Sequence, residues 1–133
     1  MSRRVRENIL DKRFEGRAIT IKLINDETIE GVVDEVSRYE VGLRVRDRPI
    51  VVFRHAIANV VISSSDIHGE SYEELEENVL DRDFIGYDIV AHLVNGEKIE
   101  GRLIKVSRYE LGVLSQERAY IIPKSSIIYV EVK

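Results

Sequence analysis

The sequence predicts a mainly β protein made of two tandem copies of one small unit, each an N-terminal helix on a bent five-stranded antiparallel barrel. Three observations predict it. Residues 7–62 lay over residues 77–132 at a constant offset of 70 without a gap, and 22 of the 56 positions are identical; self-similarity of this kind marks repeated structural units. After Gly16 and Gly86 the apolar residues recur with a period of two, the period of half-buried strands. Asn25-Asp26 and Asn95-Gly96, at matched positions, are hairpin-turn dipeptides.

The elements follow in order. Ser71 with Glu74 three residues on reads as a capping box, and Leu75, Val79 and Leu80 recur at helical spacing behind it. Val5, Ile9 and Leu10 are their counterparts in the first copy. Ile19, Ile21 and Leu23 alternate with Thr20 and Lys22 in a first strand, and a second runs through Ile29, Val33 and Val36. Gly31 and Gly101 lie inside the second strand of each copy, where glycine marks a sharp bend or bulge. Val36–Gly42 (VSRYEVG), repeated as Val106–Gly112 (VSRYELG), forms the next turn; strands over about Val41–Val45, Ile50–Phe53 and Ala58–Ile62 complete the unit. The organisation is residues 1–62 as domain 1, 63–77 as an acidic linker and the start of the second helix, and 78–133 as domain 2.

Charge is unevenly spread. Of a net −4, residues 63–77 carry six acids and no base, whereas residues 1–62 carry 12 Lys/Arg against 10 Asp/Glu. Local patches rather than the total decide what binds. The chain has no cysteine, which excludes disulfides, thiolate metal sites and a cysteine nucleophile and fits a cytoplasmic protein. No apolar run reaches the roughly 18–20 residues that span a bilayer, and the basic start at Arg3, Arg4 and Arg6 lacks the apolar region of a signal peptide. There is no Gly-rich phosphate loop, no histidine pair at metal spacing and no nucleophile–base constellation, so neither an enzyme, a metal site nor a cofactor is expected.

The order of these motifs resembles the Sm, Sm-like and bacterial Hfq proteins. A strand ending in Asn-(Gly/Asp), then Glu-Gly-x-(Val/Leu), a polar–aromatic turn and an apolar strand resemble the family's first motif. Ile50–Val61 (IVVFRHAIANVV) resembles the second motif of Hfq, with a looser form at Tyr120–Val132. The resemblance covers nearly the whole chain and occurs twice. It implies two tandem Sm-like folds, edge-to-edge assembly into a ring, and binding of single-stranded RNA, U-rich or A-rich, as a chaperone or scaffold. Two folds per chain favour a homotrimer forming a pseudo-hexameric ring, with no membrane partner.

It also implies a set of RNA-binding residues. Tyr39 and Tyr109 match the base-stacking aromatic; stacking contributes roughly 1–3 kcal/mol per base. Arg38 and Arg108 precede them as donors to phosphate or base edges. Ser37 and Ser107 stand where the family usually has Asp. Val41 and Leu111 stand where Sm proteins use Asn to read uracil and Hfq is apolar, which points to a looser, Hfq-like mode. Arg54 and His55 match the basic–His pair facing the Hfq pore, and Lys124 and Ser125 take those places in the second copy. The aromatic of Hfq's adenine-binding face is replaced by Lys22 and His92, so that site is not carried over.

Each assignment has a plainer alternative. The tyrosines pack at strand ends, the arginines are solvated turn residues or pair with Glu40 and Glu110, and His55 is structural. The corresponding alternative function is a ring-forming protein-interaction module with little RNA affinity.

Overall fold

Alternation decides the strands. Ile19, Ile21 and Leu23 are buried in β1 (Ala18–Leu23), while Ala18 and Lys22 face water. The computed structural model describes residues 7–133. After β1 come β2 (Thr28–Val36), β3 (Glu40–Val45), β4 (Arg48–Phe53) and β5 (Ile57–Val61), then in the second copy β6 (Asp88–Leu93), β7 (Lys98–Val106), β8 (Glu110–Ser115), β9 (Arg118–Pro123) and β10 (Ile127–Val132). All neighbouring strands pair antiparallel, in the order β5-β1-β2-β3-β4-β10-β6-β7-β8-β9. The repeats join where β4 meets β10, with Tyr129 opposite Val52, Val130 opposite Val51 and Glu131 opposite Ile50.

The sheet encloses two cores. Side chains from β1, β2, β3 and β4 pack in one cluster with Phe14 and Ala56, and those of the second copy in another with Leu80. A single layer brings one face of so many strands together only by curling over itself. The register shifts at Val33/Glu35 and Leu103/Lys105 are bulges that add this curvature. Close approach follows: a Cβ on Gly31 would lie 2.9 Å from the Arg44 carbonyl oxygen, and one on Gly101 would collide with the Leu114 carbonyl. Along β4 the alternation divides the cores, since Ile50 and Val52 enter the first and Val51 and Phe53 the second. Burial on both faces explains the unbroken apolar run Ile50–Phe53.

The expected fold class of two separate Sm-like folds, each an N-terminal helix on its own barrel, is corrected by this architecture. The ten strands form one open sheet, and the described residues contain short 3-10 turns but no α-helix. Around residues 71–81 the helix fails because its backbone groups are taken elsewhere. Ser71 N–H donates to Asp11 Oδ2, and the Ser71 hydroxyl accepts from Glu73 N–H. The carbonyls of Glu76 and Glu77 accept from Arg38 and Tyr39 N–H, and the amides of Val79 and Leu80 donate to the Glu40 carboxylate. In the first copy, Ile9 and Leu10 lie outside any helix, and Val5 falls outside the described residues. The acidic linker is held to the first copy, with Arg17 2.6 Å from Asp66 and the Arg13 guanidinium donating to the Asp66 carbonyl. Among the described residues, no helix is long and apolar enough to cross a membrane.

Candidate nucleic-acid interface

The repeated turn is built by its serine. Ser37 Oγ accepts from Glu40 N–H at 2.9 Å and donates to the Glu40 carbonyl at 3.0 Å; Ser107 makes the same pair with Glu110 at 3.0 and 3.2 Å. A hydroxyl in both roles closes a four-residue turn between two strands. Serine thus closes the turn locally, and the turn presents the two residues inside it outward. Arg38 and Arg108 are exposed. Tyr39 is 47% exposed and Tyr109 69%. The Arg108 guanidinium lies 5.4 Å from the Tyr109 ring centroid and 3.1 Å from a Glu77 carboxylate oxygen. The Tyr109 phenol and Glu77 together hold Arg108 above its ordinary pKa.

The second-motif residues sit differently. Arg54 donates to the Ser37 carbonyl through Nε and Nη2, at 3.1 and 3.0 Å, and to the Leu10 carbonyl at 2.7 Å. Burial pulls its pKa down, and the charge of Asp11 opposes this. His55 Nε2 lies 2.8 Å from the Ile127 carbonyl and so carries the proton of that hydrogen bond. In the second copy Lys124 is buried, while Ser125 is exposed. Burial lowers the Lys124 pKa against the opposing charges of Glu40 and Glu77.

The two copies therefore differ. In the second, Ser107, Arg108, Tyr109, Lys124 and Ser125 line one cavity of about 630 Å³ together with Glu110 and Pro123. In the first, Arg54 clasps the turn from behind and His55 reaches across the junction to β10. The first turn is also covered by residues 76–80, which run alongside it in backbone hydrogen bonds.

A residue whose role sequence reasoning missed is Glu40, which it offered only as a partner for Arg38. It is fully buried, and its Oε1 accepts from Val79 N–H at 2.8 Å and Leu80 N–H at 2.6 Å. Burial pushes its pKa up, while those two amides and Lys124 pull it back. The signal was an acid placed just before an apolar strand in both copies. No protein-family model matches the chain.

Proposed function

We propose that the protein binds single-stranded RNA on a ring assembled from copies of itself, as a chaperone or scaffold, in the manner its resemblance to Sm-like and Hfq proteins implies. The reading carries over a mode of binding and assembly, not the helix-plus-barrel architecture corrected above, and it involves no catalysis. The observation that carries it is the pair of serine-closed turns, each presenting an exposed Arg-Tyr pair. Such a pair offers a π-face to a base and a cation to its phosphate.

Assembly has support in the strand order. β5 and β9 are the sheet's two edges, and unpaired edges accept another strand. They are the repeat counterparts of β10 and β4, which pair inside the chain. Shifting the internal register by 70 sets Asn59 opposite Ile122, Val60 opposite Ile121 and Val61 opposite Tyr120 of a second chain. Val51 at the internal junction is 2% exposed, whereas its counterpart Ile121 is 75% exposed. A head-to-tail contact of this type closes into a ring when the rotation allows. Three chains supply six repeats.

The test is titration of U-rich and A-rich oligonucleotides at about 50 mM salt, where phosphate contacts are strong. Submicromolar affinity that falls when Tyr39→Ala and Tyr109→Ala are combined supports the reading. A second reading, a ring-forming protein-interaction module, is favoured by the engagement of Ser37, Arg54 and His55 with backbone groups. Absence of RNA binding by an assembled protein at that salt would select it.

A further inference from the structure

Inside the chain, the Glu40 turn receives residues 77–80 of the second copy. Tyr39 N–H donates to the Glu77 carbonyl, Glu40 captures the amides of Val79 and Leu80, and the Val79 side chain settles over Gly42. The fit is close, since a Cβ on Gly42 would lie 3.1 Å from Val79 Cγ1. Every component of this contact recurs at an offset of 70. Tyr109, Glu110 and Gly112 repeat the receptor, and Glu7, Ile9 and Leu10 repeat the docked segment.

Within one chain these second versions do not meet. Val79 is 6% exposed but Ile9 is 68% exposed. Glu40 is buried, whereas Glu110 is exposed and its carboxylate meets no donor among the described residues. The amides of Ile9 and Leu10 likewise donate to no acceptor among the described residues. Receptor and segment thus stay unmatched within the chain.

We propose that Glu110 is a docking site for residues 7–10 of a second copy of this chain, its carboxylate accepting the Ile9 and Leu10 amides while Ile9 covers Gly112. The occupant is argued from continuity with the internal contact, which already holds the same residue types in the same order. Charge agrees. Lys124 interacts electrostatically with Glu40 across the internal junction, and its counterpart Arg54 would come to Glu110 of the neighbouring chain. Docking also leaves the tyrosine accessible, because Tyr39 beside the occupied receptor remains 47% exposed. This inference deepens the assembly part of the proposed function and rests on it, but does not depend on RNA binding.

The test uses the full chain. Native mass measurement of Glu110→Ala should show self-association weakened by about tenfold or more, the effect of losing charge-assisted contacts, with the circular dichroism spectrum unchanged. As an independent arm, chains carrying Ile9→Cys are mixed with chains carrying Gly112→Cys under oxidation. The natural sequence has no cysteine, so a mixed disulfide between the two chains is the expected product. An unaltered assembly for Glu110→Ala, a monomeric wild-type chain, or no mixed disulfide overturns the inference. Oligonucleotide titration of the same samples separates the two readings. Loss of assembly without RNA affinity in any sample leaves the docking site standing and removes the RNA function. RNA affinity with unaltered assembly does the reverse.

Discussion

A single carboxylate oxygen of Glu40 accepts the backbone amides of both Val79 and Leu80, at 2.8 and 2.6 Å, and so ties the first repeat to the second. All three residues are buried. Without Glu40, two amides lose their acceptor away from water, at about 1–3 kcal/mol for each orphaned group. Glu40→Ala is therefore predicted to lower unfolding free energy by about 2–4 kcal/mol in urea titration. Glu110→Ala in the monomeric chain is predicted to change it by less than about 0.5 kcal/mol. Equal effects of the two would contradict the asymmetry between the copies.

The same carboxylate gives a pH signature. Burial raises its folded pKa above the ordinary 4.5. A carboxyl with a raised folded pKa contributes stability that is full below the unfolded pKa and is lost as pH rises through the folded one. The stability of wild type relative to Glu40→Gln should thus decline from about pH 4.5 towards neutrality. A relative stability that rises over that interval would show that the amide bonds outweigh burial.

Glu131 is predicted to behave in the opposite sense. Burial pushes its pKa up, but hydrogen bonds from His92 at 2.7 Å and Arg48 at 3.1 Å, with their charges, outweigh this and hold it below 4.5. Its contribution is complete above the unfolded pKa and disappears as pH falls through the folded one. The margin of wild type over Glu131→Gln should be largest near neutrality and shrink on acidification below about pH 4.5. Chemical-denaturation midpoints of both variants across pH 3–8 check the pair of signs.

Gly31 and Gly101 were legible in the sequence as bend positions, and their surroundings give the bend its cost. A methyl on Gly101 meets the Leu114 carbonyl, and one on Gly31 sits 2.9 Å from that of Arg44. Gly101→Ala is predicted to destabilise by about 3 kcal/mol through overpacking, more than Gly31→Ala. Thermal melts that leave either variant at the wild-type midpoint would mean the β2–β3 and β7–β8 pairs can separate without loss.

What local pattern determines was readable, and what distant partners determine was not. The alternation of Ile19, Ile21 and Leu23 specifies a strand by itself, and Asn25-Asp26 and Asn95-Gly96 mark turns that need a positive φ, found at Asp26 and Gly96. Ser71 and Leu75 carry a helical pattern, yet Asp11 and Glu40 hold backbone amides of residues 71–80 in a non-helical path. No periodicity reveals that competition, because the acceptors lie 39 to 60 positions away. Val51 and Ile121 look alike in sequence, and only the pairing of β4 with β10 separates them. Arg54 was expected, by resemblance to Hfq, to face a pore, but its Nε and Nη2 donate to the Ser37 and Leu10 carbonyls.

That engagement of Arg54 gives the proposed RNA site a quantitative test. Each chain presents Arg38 and Arg108 as exposed cations beside its tyrosines, while Lys124 is buried and Arg54 is bound to backbone. For a single strand, the slope of log Kobs against log salt is about −0.7 per neutralised phosphate. Two contacts per chain predict a slope of about −1.4, and four, with Arg54 and Lys124 included, about −2.8. Titration of a U-rich oligonucleotide from about 50 to 300 mM salt spans enough range to separate these values. The expected result is the shallower slope, abolished when Arg38→Ala and Arg108→Ala are combined. The steeper slope, retained in that double variant, would move the RNA path from the serine-closed turns to the second motif. Stacking on Tyr39 and Tyr109 is insensitive to salt, so their alanine variants should weaken binding by a constant factor and leave the slope unchanged.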